Sequence, residues 1–231
     1  MFIGLRTALG GAVAVLVVAN LLNNWFAPTA YVATAVIACV LLLGLLRLAK
    51  GTWADAGLGQ DTLRRGVAWG LALSVGAAVV VLACVLAPPT RHLFLDPRVE
   101  GAGPEAIAFA ALVRVPVGTV LLEEIGFRGV VYGLAARIRG FTWATGISSG
   151  LFGLWHLLPA ISVVADHPAA SGAGSPIGAA VAVAMLATSL VGVGLCELRR
   201  RSGSLIPCIA LHWTVNALAY VAAYLVFQTS T

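Results

Sequence analysis

Charge is what this sequence has least of. Only 10% of its 231 residues are Asp, Glu, Lys or Arg, where soluble domains carry about 25%. That scarcity excludes an ordinary water-soluble globular domain. Cysteine is sparse too. Cys39, Cys84, Cys196 and Cys208 all sit in apolar segments, and no two form a CxxC pair. Neither a disulfide framework nor a cysteine metal site is indicated. The HExxH pattern of soluble zinc proteases is missing as well. No small-residue cleavage site follows the first apolar run, so that run reads as a spanning helix and not as a removed signal.

What is present is hydrophobic. Apolar residues make up 60% of the chain, with a mean hydropathy of +0.99. Runs of about 20 apolar residues match the thickness of a bilayer. The class is therefore an all-α polytopic membrane protein, a single bundle of about seven helices. The spans fall near 7–25, 28–48, 66–87, 105–136, 141–158, 177–197 and 204–227. Residues 1–104 supply three helices and their loops, and 105–227 supply the other four; the length fits one structural domain. The fourth span is too long to run straight across about 30 Å of hydrocarbon. Pro116 offers a kink, and tilt takes up the rest. The loop 50–65 carries Trp53 and suits the interface, and the loop 159–176, rich in Gly, Ala, Ser and Pro, reads as mobile.

The net charge of +5 points to cytoplasmic loops rather than to nucleic acid. With an inside N-terminus, Arg6, Arg47, Lys50, Arg64, Arg65, Arg137, Arg139, Arg199, Arg200 and Arg201 lie inside. Only Arg91 and Arg98 lie outside. That asymmetry sets the N-terminus in the cytoplasm and the C-terminus outside. The cell membrane is the expected location. Nothing in the sequence sets an oligomeric state.

Against this background the stretch Leu121–Gly133 stands out, because Glu123, Glu124 and Arg128 interrupt an apolar run. Each unpaired charge at bilayer depth costs about 2.5–3.5 kcal/mol on insertion scales, so such residues are functional by default. Glu124 and Arg128 are i,i+4 and share a helix face, which predicts a buried ion pair. Glu123 points about 100° away and is left free to act. Arg114, nine residues before Glu123, falls on the opposite face by the same arithmetic and has no evident partner.

Two further spans carry polar residues. His156 follows Phe152 by four, and Asn216 follows His212 by four. At 1.5 Å per residue from the inner face, Glu123, His156 and Asn216 lie roughly 20, 22 and 20 Å deep, and His212 roughly 14 Å. Three helices thus bring Glu, His, His and Asn to nearly one level, the mark of an intramembrane polar cavity. The inventory suits hydrolysis: a carboxylate shielded from water as base, a second group to orient water, and donors for an oxyanion. His92 and His167 fall in loops and read as solvated.

The three clusters in this order resemble the CAAX prenyl protease and bacteriocin-processing (CPBP, or Abi) family of intramembrane proteases. Its EExxxR, FxxxH and HxxxN patterns stand here as Glu123-Glu124-Ile125-Gly126-Phe127-Arg128, Phe152-Gly153-Leu154-Trp155-His156 and His212-Trp213-Thr214-Val215-Asn216. Gly126 departs mildly, sitting where a larger apolar residue is expected. The resemblance covers about residues 105–227. It implies an endopeptidase acting on membrane-associated peptides or protein tails, with the lipid bilayer as its medium. Glu123 and His156 would activate water, His212 and Asn216 would stabilise the oxyanion, and Glu124 and Arg128 would support the site. Family members are often labelled metalloproteases. No cofactor is expected here, with zinc on Glu123, His156 and His212 as the alternative. A non-catalytic immunity or scaffold protein and a proton-coupled transporter are the competing readings. Nothing in the sequence indicates that the substrate is prenylated.

Overall fold

The computed structural model describes residues 2–96, 99–165 and 177–229. Among these residues every regular element is a helix. Six stretches are long and apolar enough to cross a membrane: Leu5–Phe26, Pro28–Leu48, Gln60–Leu86, Pro104–Arg139, Gly178–Ser202 and Ile206–Gln228. They contain α1 (Leu5–Leu21), α2 (Tyr31–Leu48), α3 (Leu63–Leu86), α4 (Pro104–Arg139), α7 (Ile177–Ser202) and α8 (Ile206–Gln228).

The expected span 141–158 is the exception. Its place is taken by two shorter helices, α5 (Phe141–Trp155) and α6 (Leu157–Ala165), separated by a break at His156. The physical reason lies at Pro159. Proline has no N–H to return to the carbonyl four residues back, which is that of Trp155. The Asn20 side-chain amide of α1 donates to that carbonyl instead, at 2.8 Å. The broken helix is thereby fixed to α1. Residues 159–165 are helical, not loop; the rest of the expected 159–176 loop, His167 included, lies outside the described residues.

Helix α4 departs from regular winding. It opens as an α-helix (Pro104–Phe109), widens to π-helical hydrogen bonding over Ala110–Leu121 and again over Glu124–Val131, and closes as an α-helix (Tyr132–Arg139). Pro116 lies inside the first wide section and cannot donate to the ladder. A wider coil advances less per residue, so winding as well as tilt accommodates the length of this span.

One apolar core joins α1, α2, α4 and α5. In α1 the buried positions Ala8, Ala12, Leu16 and Ala19 recur at helical spacing, and Ala35, Ala38, Leu42 and Leu46 do so in α2. Small residues on these faces let the helices approach closely. Gly126 of α4 belongs to this packing: a Cβ there would lie 2.8 Å from Leu16 Cδ2. The missing side chain makes room for α1. Helix α5 is seated on α7 through Gly153, where a Cβ would come 2.7 Å from the Met185 carbonyl oxygen. Helix α8 packs along α3, tied by a Thr214 to Ser74 hydroxyl bond of 2.8 Å. The outward sides of α3 and α7 expose Leu71, Val75, Val79, Leu186 and Leu190, as lipid-facing surfaces do.

The loop after α2 folds on itself and against α7. Thr52 and Asp55 exchange hydrogen bonds (2.7 and 3.1 Å), and Ala56 is fully buried. Arg199 of α7 donates to the carbonyls of Ala54 and Asp55 at 3.0 and 3.2 Å. The loop therefore closes the arginine-rich end of the bundle, with Thr52, Trp53 and Ala54 left exposed.

Candidate active site

Glu124 and Arg128 are both 0% exposed, and Arg128 Nη1 donates to Glu124 Oε1 at 3.1 Å. The i,i+4 spacing puts the charges on one face. The guanidinium also lies 3.8 Å from the centroid of the Phe152 ring, a desolvated cation–π contact. Phe152 thus serves α4 as well as its own helix: its ring meets Phe127 edge-on at 5.3 Å and His156 at 4.6 Å.

Glu123 is 4% exposed. Trp155 Nε1 donates to its Oε1 at 3.0 Å, while its Oε2 has no hydrogen-bond donor among the described residues. Trp155 is the site residue that sequence reasoning passed over. The available signal was an indole N–H directly before the motif histidine in an otherwise apolar helix. Its ring is held by an edge contact to Phe127 at 5.6 Å, so the donor is rigidly aimed.

His156 sits at the α5–α6 break. Its Nδ1 lies 2.8 Å from the Phe152 carbonyl oxygen. A carbonyl only accepts, so Nδ1 carries the hydrogen and Nε2 of the neutral ring is an acceptor. His212 of α8 lies elsewhere than expected. Its Nδ1 is 2.8 Å from Glu124 Oε1, and its Nε2 is 3.9 Å from Glu123 Oε2. It reaches both carboxylates from α8, one turn before Asn216.

A cavity of about 440 Å³ opens in front of Glu123. His156 and Asn216 line it, together with Trp155, Thr119, Tyr31 and Arg114; His212 does not. Of the four residues expected at one level, three share the cavity. The presence of Arg114 corrects the sequence reading. Nine residues at 100° each would set it opposite Glu123. In a π-helix of about 4.4 residues per turn, nine residues come round to within about 20°. The winding of Ala110–Leu121 brings Arg114 to the same side. Its guanidinium lies 5.5 Å from the centroid of the Tyr31 ring.

Among the described residues no group of three or more His, Cys, Asp and Glu side chains converges to hold a metal. Glu123 and His212 approach each other, and His156 lies across the cavity with its Nδ1 taken by its own helix. The zinc set considered from sequence, Glu123, His156 and His212, does not fit this arrangement.

No curated protein and no solved structure matches the chain. Residues 105–218 match the family model of type II CAAX prenyl endopeptidases, Rce1-like, and this segment contains all three motifs and the charged cluster. Over this segment the chain matches the CAAX protease family of Rce1-like endopeptidases.

Proposed function

We propose that the protein is an intramembrane endopeptidase that hydrolyses membrane-associated peptides or the C-terminal tails of membrane proteins, with Glu123 as general base. One observation carries the reading. Glu123 is a buried carboxylate with one oxygen clamped by Trp155 and the other without a donor, on the wall of a cavity shared with His156 and Asn216.

The chemistry follows from the donor and acceptor roles. Glu123 Oε2 and His156 Nε2 both accept, so together they take the two hydrogens of one water and leave its lone pair facing the cavity. As Glu123 removes a proton, the oxygen attacks the scissile carbonyl carbon. The carbonyl oxygen becomes an oxyanion, and the Asn216 amide donates to it. Glu123 then passes its proton to the leaving nitrogen, and the C–N bond breaks. His212, bonded to Glu124 and facing Glu123, is a positioning residue that sets the two carboxylates relative to each other. Glu124 and Arg128 fix His212 in turn. No step passes through a metal.

The basic loops set the N-terminus in the cytoplasm. The cavity is lined by Asn23 and Asn24 after α1, Tyr31 at the start of α2, and Asp96. These lie at the end of the bundle away from the arginine-rich loops, so the site receives substrate from the non-cytoplasmic side. Comparing the membrane proteome with and without the gene, by reading new C-termini, tests the reading. Truncated tails that vanish with the gene support it; an unchanged set of C-termini contradicts it.

A further inference from the structure

We infer that the protein carries a binding site for an anionic phospholipid, in a groove between α1 and α5 at the arginine-rich end of the bundle. The site lies apart from the reaction cavity and does not depend on the protease reading.

The groove has a volume of about 620 Å³. Arg6, in the first turn of α1, and Arg139, the last residue of α4, line one end of it. Other arginines at this end of the bundle are engaged: Arg137 with Asp55, Arg200 and Arg201 with Glu197, and Arg199 with two loop carbonyls. Arg6 and Arg139 are exposed and have no acidic partner among the described residues. The Arg139 guanidinium lies 5.8 Å from the centroid of the Trp143 ring, and an indole at this level suits the membrane interface. The rest of the wall is apolar, from Leu9 and Val13 to Ile147 and Leu151. Gly10 keeps the groove open, since a Cβ there would meet no atom within 4 Å. In this it differs from Gly126, whose missing side chain admits a neighbouring helix.

The groove continues inward. A second, apolar cavity of about 290 Å³ shares Val13 and Leu151 with it and reaches Asn20, Phe127 and Trp155. No acidic side chain lines either part. With the reaction cavity this second cavity shares Trp155 alone. From Arg6 to Asn20, α1 rises about 21 Å. That exceeds the roughly 15 Å of hydrocarbon in one leaflet, so a chain anchored at the arginines has room along its whole length.

Charge and shape together select the occupant. Two unpaired guanidiniums at headgroup level attract a phosphate, and the apolar groove behind them takes an acyl chain. A zwitterionic lipid would set its own cation against the arginines. A soluble anion would leave the apolar part empty. The bound chain fills the space beside Phe127 and Trp155, the ring pair that aims the indole donor at Glu123.

The test uses the full-length protein in phosphatidylcholine vesicles, with phosphatidylglycerol brominated on its acyl chains added in steps. Bromine quenches indole fluorescence on contact, and the difference between the wild type and Trp143→Phe isolates the Trp143 signal. We expect that signal to be quenched at a mole fraction of phosphatidylglycerol at least about tenfold below that of equally brominated phosphatidylcholine. Arg6→Gln combined with Arg139→Gln should bring the two lipids together. Arg64→Gln, at the same end but outside the groove, should leave the preference intact. Gly10→Leu keeps both arginines but fills the groove, and should weaken quenching by phosphatidylglycerol. Equal quenching by the two lipids in the wild type overturns the inference. So does a preference that survives loss of both arginines, one that disappears with Arg64, or quenching that Gly10→Leu leaves unchanged.

Discussion

Removing Arg128 should cost more than removing any other charge in the bundle. Its guanidinium is fully buried, donates to Glu124 at 3.1 Å and covers the Phe152 ring at 3.8 Å. Arg128→Ala deletes both contacts and leaves the Glu124 carboxylate buried with His212 alone. Breaking a buried pair in this way costs about 3–5 kcal/mol. The loss should appear first as instability, because the orphaned carboxylate sits between α4 and α8. Unfolding in detergent micelles, followed by tryptophan fluorescence, measures it. A second variant separates charge from packing: Arg128→Met with Glu124→Gln removes both charges and keeps most of the volume. Replacing a buried pair by neutral groups is often close to neutral, so the double variant should recover most of the lost stability. It should not recover full activity, since His212 loses the partner that orients it. An Arg128→Ala protein that melts like the wild type with full turnover would refute the buried-pair reasoning.

Three further outcomes follow from the same geometry. Trp155→Phe keeps the ring against Phe127 but removes the donor to Glu123 Oε1; it should cost about 1.5–3 kcal/mol of the interaction and lower kcat, and unchanged kcat would show that the clamp does not matter. A reporter fused after Thr231 should read out as non-cytoplasmic, as the distribution of arginines requires; a cytoplasmic signal rejects the orientation. Purified protein should contain no stoichiometric zinc and keep its activity through exhaustive chelation; zinc that leaves and returns together with activity would replace the direct-base mechanism by metal ligation.

Much of the site was legible because it depends on spacing within single helices. The i,i+4 rule alone paired Glu124 with Arg128, and separate depth estimates brought Glu123, His156 and Asn216 to one level. What was hidden depends on departures from regular helix. The side occupied by Arg114 follows from the wide winding of Ala110–Leu121, and nothing in local sequence beyond Pro116 announces it. The break at His156 needs both Pro159 and the distant Asn20 amide, a contact 135 residues apart in the chain. His212 was placed with Asn216 because both share α8. The structure turns it to Glu124, and only the packing of α8 against α4 decides that. Gly126 looked like a lapse in the motif until Leu16 of α1 filled its place.

The central claim is that Glu123 is the base, and substituting it is the most direct test. Glu123→Gln keeps the volume, and its amide oxygen can still accept from Trp155. The protein should therefore fold and bind substrate. Turnover should fall by about 10²–10⁴-fold, the usual worth of a positioned acid–base group. His156→Ala should lose a similar amount, and the double variant little more, because the two act on one water. Cleavage by Glu123→Gln at the wild-type rate would contradict the account and leave a scaffold or a transporter as the better description of this bundle.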